Sequence, residues 1–360
     1  MGRYLFLNWM DLNNPKSGGA EKYATEMAKR FVRDGNVVEL FTTSYRGSTS
    51  VSVINGVKVI RTGNPLTVYL RAFFYLKANV NSYDKIIEFV NGPPFYSPLL
   101  TNDSKTRGVL FHFPTMKAYI GKLYLLGPIE YAIQRISLLI FYRNIPFLTD
   151  GKYTMKELER IKIRNVVIAE DGIDVSDLDI SYDVKENLVV ITGPIKPWKR
   201  IEDAIVAFSK TDQRWRLVVI GRGSEDYIRK LKELSRKLRV QDRINFAGFI
   251  DESEKHSLYV RSKINIVTSE KEGFALTALE AMSFGSVCIA YDIPGVRDAL
   301  VEGITSLIVP DSNIEKLTEE LISLTENETR IMVMMSEGIK RARNFTWERT
   351  YEKFAEFLNS

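Results

Sequence analysis

Ser269-Glu270-Lys271-Glu272-Gly273-Phe274-Ala275-Leu276-Thr277-Ala278-Leu279-Glu280-Ala281-Met282-Ser283-Phe284-Gly285 is the stretch on which the reading of this chain turns. It sets two carboxylates, Glu272 and Glu280, with seven residues between them. A glycine follows the first, and a helix-like run carries the second. The preceding run, Ile264-Asn265-Ile266-Val267-Thr268-Ser269, reads as a buried strand. A strand therefore ends, a turn exposes Glu272, and a helix is expected from near Phe274 to Gly285. The first amides of a helix lack intrahelical acceptors and can hold an anion. The two carboxylates can accept hydrogen bonds from hydroxyl groups. Phosphate donors and hydroxyl acceptors thus lie within one short segment.

The pattern continues through Ser286-Val287-Cys288-Ile289-Ala290-Tyr291-Asp292-Ile293-Pro294-Gly295-Val296-Arg297-Asp298, then Gly303 and Leu307-Ile308-Val309-Pro310. Two glutamates at this spacing occur on many solvated helices. The whole string, in order after a strand, resembles the donor site of the retaining glycosyltransferases of family 4, with their Glu-x7-Glu motif. That resemblance implies an α/β chain of GT-B fold, two Rossmann-like doubly wound domains facing a central cleft.

Length and composition agree with two globular domains. The chain has 360 residues, 45% hydrophobic and 26% charged. Its single cysteine, Cys288, lies in an apolar run, so a disulfide framework is excluded and a reducing compartment is expected. It reads best as a small buried hydrophobe. Asp11 interrupts the only early apolar run, so no signal peptide is expected. No apolar run is long enough to span a membrane. A cytoplasmic protein follows, one able to work at the inner face of the membrane.

Charge is uneven. Residues 1–150 carry 18 Lys+Arg against 10 Asp+Glu, a balance of +8, whereas the whole chain is +5. Between Ser104 and Thr149 stand Lys105, Arg107, Lys117, Lys122, Arg135 and Arg143, against one acid, Glu130. Tyrosines and leucines interleave with them. Such a surface suits anionic lipid or a lipid-linked acceptor. It equally suits the basic rim of a phosphate-binding cleft. No nucleic-acid motif is present.

Strand-like and helix-like segments alternate along the whole chain, which argues for doubly wound parallel sheets. Arg3 to Trp9, Val37 to Thr43, Lys85 to Phe89 and Gly108 to Phe113 read as strands of the first half. Residues 115–145 read as helical, broken at Gly127-Pro128. Leu188 to Thr192, Trp215 to Ile220, Asn245 to Gly248 and Ile264 to Thr268 read as strands of the second. Ala169-Glu170-Asp171-Gly172-Ile173-Asp174 resembles the family's interdomain Asn-Gly-Ile/Val-Asp element, with Asp171 in place of the usual Asn. Phe345-Thr346-Trp347-Glu348-Arg349 resembles its closing segment. The expected division is an acceptor-side domain over 1–168, joined by a C-terminal helix at 345–360, and a nucleotide-sugar donor domain over 169–344.

Three further elements carry chemistry. Gly18-Gly19-Ala20-Glu21 opens a helix expected to run through Phe31, and its glycines allow backbone to approach a ligand. A tight turn would need the same glycines. Gly193-Pro194-Ile195-Lys196-Pro197-Trp198-Lys199-Arg200 follows a strand and precedes a helix. The family has Gly-Arg and then Lys here, both neutralising the leaving diphosphate. Lys199 matches the lysine. Pro194 stands at the arginine position, leaving Lys196 or Arg200 to replace that charge. His112, in Leu110-Phe111-His112-Phe113-Pro114, matches the family's active-site histidine and sits where open α/β sheets bind ligands. His256 reads as a helix-surface residue.

No metal-ligand spacing is apparent. The triplet Asp177-Leu178-Asp179 falls in the linker, and no metal or other cofactor is expected. The resemblance implies a metal-independent transferase that moves a hexose from a nucleoside-diphosphate sugar to a glycan, lipid-linked or other hydroxyl acceptor, with retention. It implies Glu280 on the ribose, Glu272 on the donor sugar, and the backbone of Gly273, Phe274, Ala275 and Leu276 around sugar and phosphate. Lys199, with Arg200, would face the diphosphate, while His112, Gly18 and Gly19 would approach the donor from the first domain. The competing reading is a catalytically silent sugar-nucleotide-binding regulatory or scaffold protein, to which Pro194 lends some weight. A GT-B sugar-nucleotide epimerase shares the fold but not usually the full string around Glu280.

Overall fold

The strand-like runs pair into two sheets in a computed structural model that describes residues 1–113, 126–175 and 180–359, the side chains of 126–130 excepted. The chain divides into two units, Met1–Gly172 with Trp347–Ser360, and Ile173–Thr346. Lys117, Lys122 and the Asp177-Leu178-Asp179 triplet lie outside the described residues.

In the first unit the strands are β1 (Arg3–Leu7), β2 (Val37–Thr42), β3 (Val51–Ile54), β4 (Val57–Arg61), β5 (Lys85–Phe89), β6 (Thr106–Val109), β7 (Phe147–Thr149) and β8 (Val166–Ile168). They pair in the order β3-β4-β2-β1-β5-β6-β7-β8. All neighbours are parallel except the β3–β4 hairpin, closed at Asn55-Gly56, both of positive φ. Alternate strand residues serve opposite faces. Phe6 and Ile87 pack under helix α1 (Gly19–Arg33) and the closing helix Trp347–Asn359. Leu5, Leu7 and Ile86 pack under α2 (Val68–Asn79), and Leu110 and Phe147 under α3 (Leu126–Phe141) and α4 (Lys152–Arg160).

Several expected boundaries move. β1 stops at Leu7 and β6 at Val109, although the Asn8 amide still donates to the Phe41 carbonyl at 3.1 Å. α1 runs on to Arg33, two residues past Phe31. The division falls after Gly172 rather than after residue 168. Ala169 is buried in the first unit's core beside Trp347. The Thr350 hydroxyl donates to the Glu170 carbonyl at 2.8 Å, and Lys353 pairs with the Glu170 carboxylate.

Asp171 is fully enclosed in this unit, and its Oδ1 has no hydrogen-bond partner. Burial pushes its carboxyl up to about 7. It faces the Tyr23 phenol of α1, together with Asp150 and Glu170. A carboxyl whose folded pKa is raised contributes full stability below its unfolded value, and loses it as pH rises to the folded one. Asp171→Asn, which removes the charge and keeps the shape, should therefore raise Tm at pH 8 by at least about 2 °C. That gain should vanish near pH 4. A thermal melt with equal shifts at both pH values would refute it.

In the second unit the strands are β9 (Glu186–Thr192), β10 (Arg216–Ile220), β11 (Ile244–Gly248), β12 (Ser262–Val267), β13 (Val287–Tyr291) and β14 (Ser306–Val309). They form an all-parallel sheet ordered β11-β10-β9-β12-β13-β14. Parallel strands covered on both faces need continuous apolar runs, which β9, β10 and β13 have. The connecting helices are α5 (Ile201–Phe208), α6 (Glu225–Lys237), α7 (Glu252–Arg261), α8 (Leu276–Ser283) and α9 (Val296–Ala299). Helices α10 (Ile314–Thr325) and α11 (Glu328–Ala342) follow β14. Cys288 is fully buried on β13, and burial pushes its thiol far up, so it serves as a packed apolar side chain.

Candidate active site of the second unit

The second sheet reverses its winding at β9. From there the chain moves outward to β10 and β11, then returns to β12 on the other side. Ligands of open α/β sheets bind at such a reversal, outside the carboxyl ends of the strands. The loops there are the ones singled out from sequence: Gly193 to Arg200 after β9, and Thr268 to Ala275 after β12.

The two loops are tied together. The Thr268 hydroxyl donates to the Lys199 carbonyl at 2.9 Å, and the Glu270 amide donates to the Trp198 carbonyl at 2.8 Å. The Lys199 ammonium donates to Glu272 Oε1 at 2.6 Å. The Ser269 hydroxyl donates to the same oxygen. Oε2 of Glu272 has no partner among the described residues. Lys199 itself is 8% exposed, held between this carboxylate and Gly193. A Cβ on Gly193 would lie 3.3 Å from Lys199 Cε.

Glycines elsewhere set the walls by close approach. Gly221, after β10, has φ +145, and a Cβ there would stand 1.8 Å from the Gly193 carbonyl oxygen. Gly295, after β13, has φ +85, and a Cβ there would stand 2.3 Å from the carbonyl oxygens of both Glu272 and Gly273. Both positions exclude a side chain.

The helix begins later than expected. α8 starts at Leu276 rather than near Phe274, because Ala275 takes the left-handed conformation, φ 52 and ψ 42. The first amides of the helix are thus those of Leu276 and Thr277; the Ala278 amide already donates to the Ala275 carbonyl. Phe274 is buried against Phe345, so at this position only its backbone reaches the loop surface. Glu280 sits on the second turn of α8, half-buried, 3.1 Å from the Lys255 ammonium of α7. Burial opposes the Lys255 charge, but Glu280 and Glu252 outweigh it and raise its pKa.

Two cations near Lys199 differ in state. The Arg200 guanidinium donates to Asp311 at 2.6 Å, to Ser312 and to the Ser269 carbonyl, and lies over the Tyr291 ring. Arg200 is therefore committed to the β14 loop. Lys196 is exposed and unpaired among the described residues. In the first unit, Gly18 caps α1 in an extended conformation, φ −143, and its amide is taken by the Glu21 carboxylate at 2.8 Å. The positive-φ turn is thus ruled out at Gly18. His112 is exposed, three residues beyond β6. His256 stacks at 4.6 Å on Phe284 on the surface of α7.

Sequence reasoning missed Lys255, whose partner lies 25 residues away in sequence on another helix. It also missed Lys185. That ammonium is enclosed by the carbonyls of Tyr259, Ser262 and Phe284 at 3.1, 3.0 and 2.5 Å. It closes the C-terminal ends of α7 and α8, the helices that carry Lys255 and Glu280. Burial lowers its pKa to about 7. No local signal marks either lysine. No group of three His, Cys, Asp or Glu among the described residues is placed to hold a metal.

Residues 179–344 match the model of the family "Glycosyl transferases group 1". The chain is 29% identical over 174 residues to the poly(glycerol-phosphate) alpha-glucosyltransferase of Bacillus subtilis (strain 168), covering 47% of this chain and 25% of that protein. It is 27% identical over 191 residues to the D-inositol 3-phosphate glycosyltransferase of Rhodococcus opacus (strain B4), covering 51% and 43%. The match thus spans less than half the length of either relative. Sucrose-phosphate synthase from Thermosynechococcus elongatus superposes with a TM-score of 0.83 at 16% identity, over 100% of this chain and 98% of that one. Residues 179–344 are accordingly a glycosyl transferases group 1 domain, carried by a chain of α/β GT-B fold with two Rossmann-like units.

Proposed function

We propose that this chain is a retaining, metal-independent glycosyltransferase that moves a hexose from a nucleoside-diphosphate sugar to a hydroxyl acceptor. The observation that carries the reading is the Lys199–Glu272 pair at the winding reversal of the second sheet, beside the first amides of α8. Its logic is electrostatic. Charge grows on the diphosphate as the glycosidic bond breaks, and a fixed ammonium beside helix amides favours that charge. Before the donor arrives, Glu272 holds Lys199 in place; the diphosphate then competes for the ammonium. Glu272 Oε2 is left to accept from a sugar hydroxyl, and Glu280, charge-balanced by Lys255, from the ribose. Lys196, rather than Arg200, is the cation open to replace the charge missing at Pro194. The names of the two curated relatives support sugar transfer, the first of them glucosyl transfer. Roles for His112, Gly18 and Gly19 follow from the family resemblance, as does retention of configuration.

The experiment is incubation with a panel of uridine-, guanosine- and adenosine-diphosphate sugars without acceptor, followed by nucleoside diphosphate release. A transferase leaks slow hydrolysis of one donor. Saturable binding with no release would sink the catalytic part and favour a silent binder. Within that assay Glu280→Ala should weaken the donor by about 1.5–3 kcal/mol, the worth of charge-assisted hydrogen bonds. Calorimetry with an unchanged Kd would remove the ribose role.

A further inference from the structure

Large apolar side chains that stay exposed cluster in one place. Among the described residues nine of nineteen lie on or beside α2 and α3 of the first unit. On α2, Val68, Ala72 and Leu76 face the core, while Leu70 and Phe74, with Leu66 before the helix, face outward at 60%, 60% and 88% exposure. α3 is apolar on both sides. Leu138 is buried on it together with Gln134 and Ser137, whereas Ile133, Ile136 and Ile140 point out. A helix apolar on its outer face too is not built to end in water.

The two helices cover the same face of the sheet and are bridged. Tyr69 of α2 stacks on Phe95 at 5.1 Å, and the next residue, Tyr96, meets Phe141 of α3 at 5.8 Å. The Tyr96 hydroxyl is 2.9 Å from Ser137 Oγ. The segment between them is fastened from below by fully buried Glu88, which accepts from Ser97 Oγ at 2.6 Å and Tyr142 Oη at 2.7 Å. Leu99 stands exposed beside it.

Charge identifies the occupant. Residues 62–83, 90–102 and 131–149, which build this face, contain no Asp or Glu. They contain Arg71, Lys77 and Arg143, all exposed, and half-buried Arg135, which pairs with Glu157 of α4 at 3.7 Å. A protein partner or second copy would need only the apolar part. Apolar side chains flanked by the exposed cations Arg71, Lys77 and Arg143 match the headgroup boundary of an anionic bilayer. No described helix is long and apolar enough to cross a membrane, so this face would lie on one.

We infer that the α2–α3 face is a docking surface for an anionic lipid bilayer. The inference rests on the reading that the first unit serves the acceptor, and makes that acceptor membrane-borne. It relocates the contact from the basic run at 105–143 to a face that α2 shares.

The test is co-sedimentation of the full chain with vesicles of phosphatidylglycerol and phosphatidylcholine in equal amounts, against phosphatidylcholine alone. Binding should favour the anionic vesicles and fall with salt. Phe74→Glu with Ile140→Glu, both at exposed sites, should weaken it by at least about tenfold. Arg71→Gln with Lys77→Gln should reduce the preference for anionic over neutral vesicles. Nucleoside-diphosphate affinity, read by calorimetry, should stay unchanged in all variants. A chain that ignores anionic vesicles at low salt, or variants that bind as the parent does, would overturn the surface and leave the transferase reading intact. A parent dimer that the glutamate pair dissociates, without vesicle binding, would also overturn it. Vesicle binding without any nucleotide affinity would instead count against the transferase reading alone.

Discussion

Lys199→Ala should cut donor turnover at saturation by about 10²–10³-fold, the usual cost of removing one fixed group that stabilises a developing anion. The negative charge facing the ammonium is largest as the leaving diphosphate forms, so kcat should fall more than donor affinity. The fold should survive. The Thr268 hydroxyl bonds to the backbone carbonyl of residue 199, which alanine keeps, and Ser269 continues to hold Glu272. Steady-state hydrolysis and calorimetry on one preparation separate the two effects. Parent-like kcat at saturating donor would end the assignment. A fall in affinity alone, with kcat preserved, would make Lys199 a binding group only.

The second large effect is expected from Gly295→Ala. Alanine in the left-handed region costs about 1–2 kcal/mol by itself. At Gly295 the added carbon would also stand 2.3 Å from two carbonyl oxygens, those of Glu272 and Gly273. Neither is a side-chain tip that can swing aside. The turn must move, and the Glu272 amide, which donates to Pro294 at 3.2 Å, moves with it. A stability loss on the order of 3 kcal/mol is expected, with weakened donor binding. Gly248→Ala is the control. Its φ is +70, yet a Cβ there meets nothing within 4 Å. It should lose only the conformational cost. Equal unfolding midpoints in urea for the two variants would show that the contact beneath Glu272 does not matter.

Much of the candidate site was legible because its signals are local. β12, the turn at Glu272 and the helix bearing Glu280 follow one another directly, and an apolar run followed by helical periodicity reports itself along the chain. The glycines at 193, 221 and 285 take the positive φ that glycine alone adopts cheaply. One local inference failed. The helix is expected from near Phe274, but Ala275 takes the left-handed position beside a buried Phe274, and the helix starts at Leu276.

The remainder depends on partners distant in sequence. Pairing of Lys255 with Glu280, capping of α7 and α8 by Lys185, and withdrawal of Arg200 to Asp311 each join residues 25 to 111 positions apart. No period or spacing encodes such meetings. The outward face of α3 shows the same limit. Its sequence is apolar nearly all round, so periodicity cannot say which side meets the sheet. Sequence by itself determined the alternation of strands and helices, the spacing of Glu272 and Glu280 after a strand and the basic excess between Ser104 and Thr149, because these are properties of neighbours along the chain. Tertiary structure decided which cations stay open, which glycine supports Glu272 and which apolar residues remain outside, because burial is settled only when distant segments pack.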